Sequence, residues 1–420
     1  MEQDILSWPK ASEEALEALF IDAVSAGIHG RRVQWEPLSP ELWPELFRLA
    51  EEQKLLPLLT DAVCQCPDML SEPLCLEARR TARRQVMLQA RKDAAFLPVL
   101  TELRRAGIET LVIKGCLCRS VYPNGALRIS ADEDLLVEED AFAGACRVLS
   151  EAGFLADPEA DPGRSAEIGW HSPDGLLCLE LHRRLFAPDS GPFGLLDTVF
   201  SDLFSRARTY STESHGELRS LSPHDHLLYL LLHAMKHFIR TGFGLRQICD
   251  VGLWAARWTG EIDWMLLDTQ TRSVSGRTFC AALFALAEQR LGISLGLPPS
   301  WREDLPDPEP MLRDLLEGGV YGSSTKSRAH TARITQDAVA AQRQGKRRSL
   351  RTALFPPARD LEGDYPALKA HPALLPLIWQ KRLARYLLQS SRTDSPSETL
   401  RLGKKRLALL REYGILEEAP

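Results

Sequence analysis

The sequence lacks the features of membrane-spanning and secreted proteins. None of its uncharged apolar runs reaches the ~18 residues that a bilayer-spanning helix needs, and the apolar stretch 227–235 is too short. The acidic start at residues 1–4 has no apolar segment of the kind found in signal peptides. We therefore expect a cytoplasmic protein without a membrane partner.

The sequence also lacks the cysteine patterns of small disulfide-rich or zinc-binding folds. Its nine cysteines are an odd number, and their spacings form neither a disulfide framework nor a zinc ribbon. Several lie in apolar stretches, where cysteine acts as a small hydrophobic residue, so we expect reduced thiols. No internal repeat is seen. The net charge of −6 gives no global attraction to nucleic acid, although local basic runs can still provide one.

What is present is an ordinary globular composition on a long chain. Hydrophobic residues make up 44% and charged residues 26% of the 420 positions, enough for more than one domain. We expect four regions: a helical one at 1–95, an α/β one at 96–215, a helical domain at 216–297 and a helical one at 298–420. Five prolines between 298 and 310 indicate a linker.

The middle of the chain has the pattern of a small sheet. The stretches 108–113, 132–137 and 176–182 are β-branched or apolar and read as strands, and a helix is expected at 139–152. This alternation predicts an α/β (α+β) fold with a small mixed sheet between large helical regions.

Three acids in these strands are the candidate catalytic residues. Asp132 and Asp134 point to the same face of a strand, and Glu133 between them points to the other. Close carboxylates repel unless a cation lies between them, and Mg²⁺ prefers carboxylate and phosphate oxygens. Glu180, flanked by leucines, is a third candidate ligand, or else a solvated residue of an edge strand.

Positive groups near these acids are candidates for binding phosphate. Lys114 and Gly115 directly follow the first strand, where glycine lets backbone amides approach a phosphate and lysine adds a charge. A plain strand-ending turn is the alternative. Arg128 precedes the aspartates and is either a phosphate ligand or a surface arginine.

The stretch Leu111–Val137 resembles the large bacterial family of uncharacterised nucleotidyltransferases. Members of that family look like "LKG…YP…R…DxDLLV", followed by a strand that Leu179–Arg183 matches as "hELH". The resemblance covers residues ~80–390. It also includes the helical segments 230–237 and 245–250 and the tail segments 355–357 and 365–366. This sequence departs from the usual pattern at three positions: Ala131, Glu133 and Cys116.

The resemblance implies a two-metal nucleotidyl transfer. Mg²⁺ or Mn²⁺ would be held by Asp132, Asp134 and Glu180, and the substrate would be a nucleoside triphosphate, with ATP expected. The acceptor could be a small molecule, a protein or RNA. The alternatives are an inactive nucleotide-binding scaffold and a toxin- or antitoxin-type module acting on tRNA. Further nucleotide contacts are expected from four residues: His182, His233, Lys236 and His237.

Two other features leave their alternatives open. His233 and His237 share a helix face, but no H-E-x-x-H pattern supports a zinc protease, and ordinary packing is the other interpretation. The basic stretches within 79–92 and 343–351 are either solvated surfaces or contacts to phosphate, RNA or a partner.

Overall fold

The computed structural model describes most of the chain between residues 13 and 417. The described residues are 13–36, 38–64, 72–158, 160–188, 192–318, 326–343, 371–381 and 396–417, with the single positions 358, 361, 365 and 368. The tail segment 355–357 and the basic segment beyond residue 343 lie outside them.

Helices dominate the described residues on both sides of a compact sheet region. Their bounds are α1 (Glu13–Ile28), α2 (Leu42–Glu52), α3 (Leu56–Val63), α4 (Glu72–Arg105), α5 (Gly115–Arg119), α6 (Phe142–Glu151), α7 (Pro223–Arg240), α8 (Leu245–Trp258), α9 (Trp264–Ser273), α10 (Arg277–Gln289), α11 (Pro299–Arg302), α12 (Glu309–Gly318), α13 (Lys326–Arg343) and α14 (Pro396–Glu412). Within the described ranges, every helix is too short or too polar to span a bilayer.

The strands form one mixed sheet and one hairpin. The strands are β1 (Thr110–Ile113), β2 (Glu133–Val137), β3 (Leu155–Ala156), β4 (Glu167–His171), β5 (Cys178–His182), β6 (Arg208–Thr212) and β7 (Gly216–Ser220). The sheet order is β1-β2-β5-β4-β3; β2 and β5 pair in parallel and the other neighbours are antiparallel, while β6 and β7 form the hairpin. The predicted α+β fold with a small mixed sheet is confirmed.

The pleat of the sheet divides its side chains between two apolar cores. Leu136 packs in the larger core, which α7, α8 and α10 complete. Leu135 and Val137 face the opposite way, into a smaller core with α4 and α6. Asp134 therefore lies on the face shared with Leu136, towards α7, and Glu133 on the face towards α4, because side chains alternate along a strand.

Helix α7, which covers the first of these faces, begins at a capping serine followed by a proline. The Ser222 hydroxyl accepts a hydrogen bond from the Asp225 N–H at 3.1 Å, and Pro223 occupies the first turn, where its missing N–H has no consequence. A break follows at 241–244, and α8 continues from there. The start of α7 fixes how the helix lies over the sheet.

At each of the three boundaries between the four predicted regions, the chain lies in ordered structure. Helix α4 runs across residue 96, and the hairpin β6–β7 spans residue 215, so the division into four regions stays a prediction. The proline-rich stretch 298–310 is not a linker: Trp301 within it is fully buried and packs edge-to-face on Phe284, 5.2 Å between ring centroids. The prolines of this stretch belong to a packed segment that includes α11, with Pro299 in its first turn.

Candidate active site

Strand pairing brings the predicted acids together. In the parallel register of β2 and β5, Asp134 lies opposite Glu180, and His182 follows on the same face. One ligand atom each from Asp134, Glu180 and His182 lies within 4.8 Å of the other two. Asp134 is buried, whereas the Glu180 side chain is 41% exposed and so reachable from solvent.

Asp132 lies just before β2 at the rim of the same cleft. It is half-buried, and it belongs to no group of ligand atoms as tight as the one around Asp134 among the described residues. It does line the cleft that contains Asp134. We call this the carboxylate cleft; its walls include Lys114, Asp132, Asp134, His233, Arg246 and Asp250.

The turn after β1 points a lysine at the acids. Lys114 has φ +60° and Gly115 has φ +45°, a backbone region that a non-glycine residue rarely adopts. The Lys114 N–H donates to His226 Nε2 at 3.2 Å. The Lys114 ammonium lies 2.9 Å from Asp134 Oδ1 and 3.1 Å from His233 Nε2. Strained backbone of this kind persists where its surroundings enforce it, often at functional sites.

Glu133 fixes that turn from the other side of the sheet. Its Oε2 accepts the Cys116 N–H at 2.7 Å, and its Oε1 lies 3.1 Å from Arg119 and accepts from the Ser130 hydroxyl at 2.9 Å. Burial would raise the pKa of Glu133, but Arg119 and the Cys116 N–H hold it below its usual value. The prediction that Glu133 points away from the other acids is confirmed.

Glycine is required at position 115 for two reasons. Its φ is positive, and a Cβ placed there would lie 1.9 Å from Glu133 Oε2, the oxygen that accepts the Cys116 N–H. The Glu133 carboxylate packs directly beneath the Lys114–Gly115 turn and leaves no room for a side chain at position 115.

Arg128 is held in a buried ion pair. Its guanidinium contacts Asp250 through two nitrogens, at 3.2 and 2.6 Å, and Tyr122 donates to the same carboxylate at 2.8 Å. Arg246 is instead placed by a 2.6 Å bond to the Ile129 carbonyl, and has no carboxylate within 4.0 Å among the described residues. Arg246 is therefore the cation of the cleft most available to a phosphate.

The far end of the site contains the remaining predicted residues. Lys236 Nζ lies 3.3 Å from Glu167, and His182 Nδ1 lies 3.6 Å from the same carboxylate. The His233 and His237 rings are 4.5 Å apart, as their shared helix face predicts. Glu167 was missed by sequence reasoning because β4 was not recognised as a strand.

The protonation states follow from burial and neighbouring charge. Burial favours the neutral form of His182, but the carboxylates of Asp134 and Glu180, 3.4 and 3.6 Å from its Nε2, outweigh burial and raise its pKa to about 9. Burial raises the pKa of Asp134 to about 6 against the attraction of Lys114. The pKa of Lys114, despite its burial, is raised well above its usual value by Asp134. Burial and Lys114 lower the pKa of His233, so its ring is neutral.

The donor set fits a divalent cation. Asp134 Oδ2 is fully buried and has no hydrogen-bond partner among the described residues, a state that costs free energy unless a cation or donor satisfies the oxygen. Carboxylate oxygens are the ligands that Mg²⁺ prefers, and Glu180 supplies another beside Asp134. Imidazole nitrogen of the kind in His182 suits several transition metals.

Comparison with known proteins agrees with this geometry. A family described as "Uncharacterised nucleotidyltransferase" matches residues 39–292. The match includes the β1 turn, the acids of β2 and β5, and helices α7 and α8. Searches of curated proteins and of solved structures found no match.

Proposed function

The chain belongs to the uncharacterised nucleotidyltransferase family, and on that premise we propose that it transfers a nucleoside monophosphate from a nucleoside triphosphate to an acceptor hydroxyl. Pyrophosphate is the second product. The observation that carries the proposal is the cluster of Asp134, Glu180 and His182 on one sheet face, with the Lys114 ammonium in contact with Asp134. Mg²⁺ or Mn²⁺ is the proposed cofactor and ATP the first nucleotide to test.

Asp134 and Glu180, with Asp132 at the rim, would hold the metal. The chemistry that a divalent ion would supply there is neutralisation of triphosphate charge, which would favour departure of pyrophosphate. Lys114 and Arg246, which both line the cleft, bind phosphate oxygens. Arg128 supports this wall through Asp250.

The bond changes in the proposed reaction balance without another reactant. The acceptor hydroxyl oxygen forms a bond to the α-phosphorus, the bond from that phosphorus to the bridging oxygen of the β-phosphate breaks, and pyrophosphate leaves. The hydroxyl proton passes to the carboxylate of Glu180, whose side chain is 41% exposed and whose Oε2 lies 3.6 Å from His182 Nε2.

The test is labelled-nucleotide transfer with a matched control. Each α-labelled triphosphate is incubated with Mg²⁺, cell extract and protein, comparing wild type, Asp132→Asn/Asp134→Asn and Asp140→Asn. The last variant makes the same chemical change at an exposed position after β2. Label transfer and pyrophosphate release by wild type and Asp140→Asn, and neither by the double variant, is the expected result. Transfer that survives the double change would place the site elsewhere.

The same assay, combined with calorimetry, separates the two alternatives. An inactive scaffold would bind magnesium-ATP in calorimetry but would release no pyrophosphate in the transfer assay. Its support in the sequence is Glu133 and Cys116, and both lie on the side of the sheet away from the carboxylate cleft. A module acting on tRNA would place the label on purified tRNA in preference to protein or small molecules.

A further inference from the structure

A second cleft opens beside the carboxylate cleft. The two share Ser130 and Arg246, so whatever lies in one is adjacent to the other. The second cleft runs between α4 and the segment that leads into Asp132, and its lining contains cations and amides but no carboxylate. We call it the basic cleft; its polar lining is Lys54, Gln85, Gln89, Lys92, Ser130 and Arg246.

The basic cleft has firm walls. Lys92 Nζ donates to the carbonyls of Ser130 and Ala131 at 3.2 and 3.0 Å, and Gln89 accepts the Ser130 N–H at 2.8 Å. These bonds fix α4 against the chain just before Asp132. Gln85 Oε1 is a buried atom with no hydrogen-bond partner among the described residues. The cleft is thus a built feature with polar groups left to satisfy.

The positive charge continues along α4 beyond the cleft. From residue 78 to residue 92 the helix contains six arginines and lysines and no acid, although the whole chain has a net charge of −6. Arg80, Arg83, Arg84 and Arg91 are exposed. At 1.5 Å per residue, the stretch from Arg80 to Lys92 is about 18 Å long. That is longer than one triphosphate group requires, and it suits an anion whose charges repeat along a line.

Apolar surface lies between these cations. Met87 is 68% exposed and Leu88 45% exposed. A row of phosphates with bases attached would contact both kinds of side chain, the phosphates on arginine and lysine and the bases on the apolar atoms.

We propose that the acceptor is a polynucleotide whose unpaired end enters the carboxylate cleft while its phosphates lie along the basic cleft and α4. This inference rests on the proposed function and names its substrate class. The terminal hydroxyl of the strand is the group that attacks the α-phosphorus, with its proton passing to Glu180 and pyrophosphate leaving. Phosphate contacts position the strand without reading its sequence.

Binding is measured by fluorescence anisotropy of a labelled single-stranded oligonucleotide, as RNA and as DNA of one sequence. EDTA is present and nucleotide absent, so that binding does not depend on catalysis. The test variant is Arg83→Ala/Arg84→Ala/Arg91→Ala. Its matched control, Arg104→Ala/Arg147→Ala/Arg313→Ala, removes the same charge from exposed positions away from the basic cleft.

The test variant should bind about tenfold more weakly or worse, and the control about as wild type. Three lost phosphate contacts should also reduce the slope of log affinity against log salt by about 2, since each single-strand contact contributes about 0.7. A preference between RNA and DNA identifies the sugar, and either preference supports the proposal.

Two results would overturn it: no binding by the wild type, or equal binding by the test variant and the control. Transfer of label to a protein or small molecule, without polynucleotide binding, would sink this inference and leave the transferase intact. Binding through α4 without pyrophosphate release would leave the polynucleotide-binding surface standing, but it would overturn the transferase and with it the role of the polynucleotide as acceptor.

Discussion

Replacing Arg128 by alanine should destabilise the protein far more than loss of a phosphate ligand would. The side chains of Arg128 and Asp250 are 4% and 5% exposed, and the guanidinium contacts the carboxylate through two nitrogens. Removing one partner of a buried ion pair leaves an uncompensated charge and costs about 3–5 kcal/mol. Arg184→Ala is the control, because its pair with Glu139 is about half exposed and such pairs contribute about 0–1 kcal/mol.

Urea denaturation measures this difference, followed by circular dichroism and by the fluorescence of the nine tryptophans, among them the buried Trp254 in α8. Coincident curves from the two probes establish a single transition. Arg246→Ala should lose only about 1 kcal/mol, for its bond to the Ile129 carbonyl, while weakening nucleotide binding. An Arg128→Ala protein that is as stable as Arg184→Ala but has a raised KM for ATP would refute the structural role and make Arg128 a phosphate ligand.

Three further outcomes are expected. The free-energy cost of Arg128→Ala should shrink as the pH falls below about 4. Despite burial, Arg128 lowers the pKa of Asp250, so the stability that the pair contributes is present above the ordinary aspartate pKa and is lost as the carboxyl protonates. A cost that stays constant down to pH 3 would contradict this. Gly115→Ala should destabilise the protein by ~1–3 kcal/mol more than Gly107→Ala, which should cost ~1–2 kcal/mol. Both glycines have positive φ, but only a Cβ at position 115 would clash with Glu133; equal melting temperatures of the two variants would exclude the clash. Magnesium-ATP at about 100 times its Kd should stabilise wild type and Asp140→Asn by about 2.7 kcal/mol and Asp134→Asn by much less, in thermal unfolding; equal shifts would exclude Asp134 as a ligand.

The sequence predicts three neighbouring strands of the sheet, β1, β2 and β5, and misses the other two, β4 and β3, for one physical reason. β1, β2 and β5 are short stretches rich in leucine, valine or isoleucine and are largely buried, so their composition marks them as strands. β4, with Glu167 and His171 exposed at its ends and a glycine in its middle, has no such pattern. Its position beside β5 supplies the neighbours that make it a strand, and with it the Glu167 contact to Lys236.

The acids of the site were predictable as types, but their partners were not. Alternation along β2 separates Asp134 from Glu133, as the sequence implies. The pairing of Arg128 with Asp250, 122 positions along the chain, depends on how α8 packs over the turn, and no local pattern encodes it. For the same reason Arg246 and Asp250, four residues apart on α8, each contact a different residue before β2: the Ile129 carbonyl and the Arg128 guanidinium.

Helix α7 holds Lys114 at both ends. His226 accepts the backbone N–H of the lysine, and His233, two turns later on the same helix, contacts its ammonium. A long, flexible side chain is therefore already ordered before any nucleotide arrives. Immobilising such a side chain costs about 0.5–1.5 kcal/mol in conformational entropy. Here the side chain is ordered on folding, so this cost does not weaken the binding of a ligand. The packing of one helix thus orders in advance the lysine that we propose as a phosphate ligand.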